Sequence, residues 1–195
     1  LQKLGFHNII EINELIKKQI SAEFNVMIVP QMSSNTDGHE DKINYDLDTS
    51  IVIQSRKSKK ILYNNVDNPL STKELKYLNS LVLKNFRHRV NYMCHQIGAA
   101  SGYPQSFLSV DKETEKNKIV KKSMKKIQTL CRIFKPDIFF PAGGTYLISG
   151  KFHKLNRYVS QPSVKDLKTL SLTSNLNLQY IEGGNQLVTE ETPRA

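Results

Sequence analysis

The chain has 195 residues, with 28 Lys and Arg against 18 Asp and Glu, a formal net charge of +10, and 38% hydrophobic residues. That length suits a single domain over 1–195, and the spread of Leu, Ile and Val excludes wholesale disorder. No apolar run approaches the roughly 20 residues of a membrane span. The two cysteines, Cys94 and Cys131, make neither a disulfide framework nor a Cys-x-x-Cys metal motif.

Ile9, Ile10, Ile12, Leu15, Ile16 and Ile20 fit a helical stripe, whereas Asn8 to Ile12 also reads as a strand before a turn at Asn13-Glu14. Phe24 to Val29, ended by Pro30, is predicted as a strand, and the polar stretch from Gln31 to Asn44 as a loop or flap. Asp48 to Gln54 and Lys60 to Asn64 are two short β-type runs whose polar, basic gap suits a hairpin. Ser71-Thr-Lys-Glu74 is a capping box that opens a helix to about Phe86, with Leu75, Leu78, Val82 and Phe86 on its apolar face.

Val90 to Gln96 is predicted as a strand entering the loop Gly98-Ala-Ala-Ser-Gly-Tyr-Pro104. A long helix follows over about Lys112 to Phe134, because Ile119, Val120, Met124, Ile127, Leu130, Cys131 and Phe134 line one face. Ile138 to Phe140 is a short buried strand that stops at Pro141 and opens into Ala142-Gly143-Gly144. Ser163 to Leu172 reads as a capped helix, and Asn177 to Ile181 with Gln186 to Thr189 as a closing hairpin. Strands with intervening helices mean an α/β layered fold with helices packed on the sheet.

The candidate functional residues sit where predicted strands end. Asp67 follows the Ile61 strand and could ligate a metal, although Asp67-Asn-Pro is equally a turn. His39 lies in an acidic loop, a metal ligand or a solvated side chain. His95, before Gly98, is placed to titrate, ligate or bind an anion, against the alternative of a satisfied buried histidine. Ser101 lacks the Gly-x-Ser-x-Gly pattern of a nucleophile elbow, since Ala99 stands where the first glycine would be. Gly98, Gly143 and Gly144 let the backbone approach a substrate closely.

Asp48-Thr-Ser-Ile-Val-Ile, Lys60-Ile-Leu-Tyr-Asn-Asn-Val-Asp67, Gly98-Ala-Ala-Ser-Gly-Tyr-Pro104 and Pro136-Asp-Ile-Phe-Phe-Pro-Ala-Gly143 occur in order. Together they resemble the metallo-β-lactamase-like domain of the CMP-N-acetylneuraminate hydroxylases and their bacterial relatives, over roughly residues 24 to 190. The resemblance implies an αββα sandwich with a metal centre at one edge of two sheets. The family's principal ligands come from a His-x-His-x-Asp-His motif that this chain does not contain, so the chain resembles the C-terminal two-thirds of that domain. By the same resemblance Asp67 matches the bridging carboxylate. The positions nearest the family's downstream ligand histidine are His39 and Asn44, and His95 falls where relatives carry a polar or acidic residue.

The expected function is that of a metal-dependent hydrolase, with two divalent ions (zinc, iron or manganese) in the intact protein, acting on an anionic or nucleotide-linked sugar in glycan biosynthesis. His95, Gly98, Ser101, Gly143 and Gly144 would shape the substrate site, and Asp67 and His39 the metal site. The alternatives are an oxidoreductase with a Rieske module upstream or on a partner, and a non-catalytic anion or nucleic-acid binder driven by the net charge. No aromatic–basic stacking motif favours nucleic acid. The expected setting is cytoplasmic, away from membranes.

Overall fold

The computed structural model describes residues 3, 5, 7–32, 49–66, 68, 70–98, 101–142 and 146–179. They form a mixed α/β fold built on one six-stranded sheet: β1 (Lys18–Gln19), β2 (Phe24–Val29), β3 (Ser50–Ser55), β4 (Ile61–Asn65), β5 (Tyr92–Gln96) and β6 (Ile138–Ala142). The spatial order follows the chain. β1 to β4 form an antiparallel meander, while β4, β5 and β6 run parallel. The helices are α1 (Thr72–Phe86), which joins β4 to β5, α2 (Lys112–Phe134), which joins β5 to β6, and α3 (Val164–Ser174). A 3-10 helix, Gly150–Tyr158, lies between β6 and α3.

The alternation of side chains along a strand decides where the core lies. Met27, Val29, Val52, Ile61, Tyr63, Met93 and Phe139 share one face and are buried with Leu75, Leu78 and Val82 of α1 and Ile127, Leu130 and Phe134 of α2. Leu167 and Leu170 of α3 close the same cluster. Each fully buried side chain of this kind contributes about 1.5–3 kcal/mol relative to exposure. The helices are stopped by sequence-coded caps. Ser71 accepts from the Glu74 backbone while Glu74 accepts from the Ser71 backbone, and Arg87 and Lys135 end α1 and α2 in the left-handed conformation.

The opposite sheet face is also apolar. Val26, Ile53, Leu62, Tyr92 and Ile138 lie in register across five strands, and Ile28, Ile51, Asn64, Cys94 and Phe140 form the next row. Most of these positions are only half-buried, and none belongs to the helix-side cluster. The αββα sandwich expected from the resemblance needs a second sheet, and none occurs among the described residues.

Several expectations are corrected. The isoleucine stripe at the N-terminus forms neither a helix nor a strand over Asn8 to Ile12: the segment is irregular, Ile9, Ile10 and Ile16 are exposed, and the only strand there is Lys18–Gln19. β-Branched residues disfavour the helix, and the turn near Asn13 instead brings the Leu15 N–H to the Ile28 carbonyl at 2.8 Å. β6 does not stop at Pro141 but continues to Ala142. The N–H and carbonyl of Phe139 bond outward to Asn177 and Gln179, so the nitrogen of Pro141, two residues on, also faces away from β5 and no ladder bond is lost. Of the closing hairpin, Asn177 to Gln179 run beside β6, with Leu178 bridging to Phe139, and residues 180 onward lie outside the described residues, as does the predicted flap from residue 33 onward.

Candidate functional site

The parallel strands β4, β5 and β6 end together, and the residues that leave their C-terminal ends are where an α/β sheet presents polar groups to a ligand. Asn65, His95 and Pro141 are paired across the three strands as one row on the helix side. Both Asn65 and His95 are buried, at 0% and 4% exposure. A polar row at the end of an otherwise apolar core is costly unless its hydrogen bonds are satisfied.

Among the described residues His95 has a hydrogen-bond partner on one side of its ring. Its Nδ1 lies 2.8 Å from the backbone carbonyl of Asn65. A carbonyl can only accept, so Nδ1 carries the proton, and the neutral ring presents the Nε2 lone pair. Burial, reinforced by the nearby Lys126 charge and opposed by the Asn65 carbonyl, lowers the pKa of His95 from 6.5 to about 4. Near neutral pH this is a neutral imidazole with a fixed tautomer. Beside it, neither Nδ2 nor Oδ1 of Asn65 has a hydrogen-bond partner among the described residues, and an orphaned buried amide at a strand end calls for an explanation.

Lys126, on α2, is itself pushed below its ordinary pKa by burial and by Lys122. The field at His95 is thus positive. Asn68, just past β4, is 1% exposed, and its Nδ2 reaches the carbonyls of Val29 and Pro30 at 3.1 and 3.2 Å and Ser50 Oγ at 3.1 Å. It ties the exit of β4 to the end of the β2–β3 hairpin. Asp67, His39, Gly143 and Gly144 lie outside the described residues, and Asn44 does too. Among the described residues no group of three or more His, Cys, Asp or Glu could hold a metal ion.

Gly98 and Ser101 are drawn into a different feature. A Cβ on Gly98 would stand 2.3 Å from Cγ of Gln161, so any larger residue there would force the Gln161 side chain to shift. Ser101 lines an open cleft of about 690 Å³ between the loop after β5 and the segment after β6, with Gln105, Tyr146, Ile148, Phe152 and Leu155 among its walls. Ser101 gives its carbonyl to both Gln105 Nε2 and Tyr146 Oη, and no general base adjoins its hydroxyl among the described contacts. A nucleophilic serine has no support here. Sequence reasoning missed Asn65 and Gln105; the signal for Asn65 was a second asparagine at the end of an apolar strand, where only its burial gives it meaning.

The cysteines are inert for a related reason. Burial raises the Cys94 thiol to about 11 and the Cys131 thiol to about 12, which leaves almost no thiolate near neutral pH. No helix among the described residues is long and apolar enough to cross a membrane.

The His95 pKa makes a prediction. An unfolded histidine titrates near 6.5 and the folded one near 4, so the unfolded chain binds the proton more readily. Its contribution to stability is complete above about 6.5 and is lost as pH falls toward 4, roughly 3 kcal/mol across the window. Urea unfolding midpoints at about pH 7.5 and about pH 5 should fall steeply with acid in the wild type and much less in His95→Gln. Parallel pH dependences in the two proteins would contradict the buried neutral imidazole.

No family model and no curated protein matches the chain. Among solved structures, a provisionally assigned metal-dependent hydrolase from Parabacteroides distasonis is 12% identical, with a TM-score of 0.48, over 92% of this chain. The chain spans 59% of that chain's length. A likeness at this level carries no argument about the reaction or substrate of the present chain.

Proposed function

We propose that the C-terminal ends of β4 and β5 carry the catalytic centre of a metal-dependent hydrolase that acts on an anionic substrate. The observation that carries the reading is the His95–Asn65 pair: a buried, neutral imidazole whose Nδ1–H is held by a backbone carbonyl while Nε2 is left as a lone pair. That is the arrangement in which a histidine is oriented as a metal ligand or as a proton acceptor. The fit to a metal is partial. His95 offers one nitrogen donor, and the positive field of Lys126 opposes a cation, so a carboxylate must offset it. Asp67, two residues beyond Asn65, is the proposed ligand of that kind, and His39 the proposed further nitrogen donor.

A divalent ion there would polarise a substrate oxygen and acidify a bound water. The chain's own contributions are separate from it. His95 Nε2 accepts a proton or fixes a ligand, and Lys126 favours a substrate with negative charge. The nucleotide-linked sugar, the αββα sandwich and the glycan-biosynthetic role remain proposals that rest on the sequence resemblance, and the net charge of +10 is compatible with such an anionic substrate.

The test is metal content and calorimetric zinc titration of the purified protein, paired with hydrolysis of bis(p-nitrophenyl) phosphate. His95→Gln and Asp67→Ala should each weaken metal binding by about 10–100-fold. A protein that takes up no zinc, iron or manganese and cleaves nothing would refute the reading. Strongly salt-dependent nucleic-acid binding in such a protein would favour the binder.

A further inference from the structure

We propose that the 3-10 helix Gly150–Tyr158, together with the loop tip at Leu108, is a docking surface for an anionic lipid membrane. It is independent of the strand-end centre, since Asn65 and His95 lie on neither segment. A 3-10 helix has three residues per turn, so side chains three apart stand in one column. Phe152, Leu155 and Tyr158 make an apolar column, and Lys151, Lys154 and Arg157 make a cationic one beside it. The third column, Gly150, His153 and Asn156, ties the helix to the protein. Asn156 Nδ2 donates to the Ile148 carbonyl at 2.8 Å, and its Oδ1 accepts from the Ile148 N–H at 2.7 Å. An amphipathic surface helix ordinarily turns its apolar face to the core. Here a polar column is the anchor, no residue of the helix is fully buried, and Phe152 stays 56% exposed.

A second apolar projection comes from a different segment. Leu108, in the loop after β5, is 96% exposed and stands at the same cleft as Phe152. Both segments are braced by α2: Lys112 donates to the Phe107 carbonyl, and Lys116 to the Arg157 carbonyl at 2.6 Å. Large apolar side chains held out together mark a surface that meets an apolar phase. Charge identifies that phase. Lys151 Nζ lies 5.1 Å from the Phe152 ring centre and the Arg157 guanidinium 4.6 Å from that of Tyr158, and no Asp or Glu occurs between residues 146 and 158. Of the carboxylates opening α2, Asp111 accepts from Thr114 and Glu115 from Lys118 and Tyr103, leaving Glu113 to set against the three cations. Apolar side chains flanked by Lys and Arg fit the boundary between acyl chains and anionic headgroups. Single-stranded nucleic acid would use aromatic platforms and draw nothing from a protruding leucine. The surface departs from the sequence expectation of a setting away from membranes. A helix that lies in the plane of the interface needs no spanning segment, so the lack of one among the described residues does not oppose it.

The chain contains no Trp, so Phe152→Trp places a single reporter on the apolar column. With vesicles of equal parts phosphatidylcholine and phosphatidylserine, its emission should shift to the blue and be quenched by brominated acyl chains. Sedimentation of the full wild-type chain should show binding at least about tenfold tighter than to pure phosphatidylcholine, and weaker in high salt. The triple variant Lys151→Gln/Lys154→Gln/Arg157→Gln should bind on the order of 100-fold more weakly, since each cation near the surface contributes about fivefold. Leu108→Ser should weaken binding about tenfold. All four positions are exposed, and circular dichroism should stay unchanged. A charge-matched control at exposed positions elsewhere, Lys57→Gln/Lys73→Gln/Lys76→Gln, should lose less than about fivefold. Equal losses in the two triple variants would overturn the site, because binding would then follow net charge alone. A reporter that neither shifts nor is quenched would overturn the insertion. A reporter that answers to a single-stranded oligonucleotide but not to vesicles would overturn the lipid partner in favour of nucleic acid.

Discussion

Phe134→Ala is expected to cost about 3–5 kcal/mol of stability. Phe134 is the last residue of α2 and 2% exposed, and its ring lies 5.2 Å from that of Tyr63 at a tilt of 44°. Tyr63 sits in the middle of the sheet, also fully buried, with its hydroxyl 3.4 Å from Ser50 Oγ. The aromatic pair therefore joins the end of the longest helix to a central strand. The cavity left by alanine has little scope to collapse, because Lys135 caps the helix in the left-handed conformation and fixes where the chain turns. Guanidinium denaturation measures the loss, and Phe134→Leu should retain most of the stability, with a cost below about 1.5 kcal/mol. A loss of under 1 kcal/mol for the alanine variant would mean that this helix end is loosely packed.

Asn68→Asp is expected to cost roughly 3 kcal/mol or more at neutral pH, although it changes one atom and almost no volume. The amide nitrogen of Asn68 faces the Val29 and Pro30 carbonyls. A carboxylate there would set oxygen against oxygen at a site with 1% exposure. Only the Ser50 hydroxyl could reverse its role and donate. Burial among acceptors raises the folded-state pKa of the new carboxyl above its unfolded value near 4. The penalty is thus absent below that unfolded value and grows as pH rises through it toward the folded pKa. The variant should recover in mild acid, opposite in direction to the wild-type loss caused by His95. Asn68→Ala, by contrast, should lose about 1–3 kcal/mol with no such pH dependence. Urea midpoints measured between about pH 4 and about pH 7.5 separate the two outcomes.

Much of the architecture was readable from local chemistry. The capping box at Ser71-Glu74 and the 3–4 spacing of apolar residues gave α1 and α2 almost to the residue, because each boundary has its own physical marker. The run Phe24–Val29 gave β2 for the same reason. The N-terminal isoleucines misled because a helical spacing of β-branched residues carries little helical preference, and backbone pairing with β2 competed with it. The 3-10 helix at Gly150–Tyr158 was missed: Phe152, Leu155 and Tyr158 recur every third residue, but the segment is short and basic and buries no residue fully.

The candidate site was legible only in outline. His95 drew attention through its place before a glycine loop, but its neutral state depends on burial beneath α2 and on Lys126, which is remote in sequence. Gln105 gave no signal at all, because its meaning arises from two partners, one of them 41 positions away. Paired hydrogen bonds across such separations leave no trace in a single sequence.

The strand order of the sheet has a geometric result. Doubly wound sheets gain a ready-made crevice where the strand order reverses direction and successive crossover helices diverge to opposite faces. Here the order runs from β1 to β6 without reversal, and crossovers of the usual right hand keep α1 and α2 on the same side. The described strands contain no point at which neighbouring loops part company, so the backbone topology offers no concavity of its own. Any pocket at this end of the sheet has to be walled by the loops themselves, which accounts for the extended excursions between β5 and α2 and between β6 and α3. Binding preference in this fold is therefore free to change through those two loops while the sheet, its register and its helical layer stay as they are.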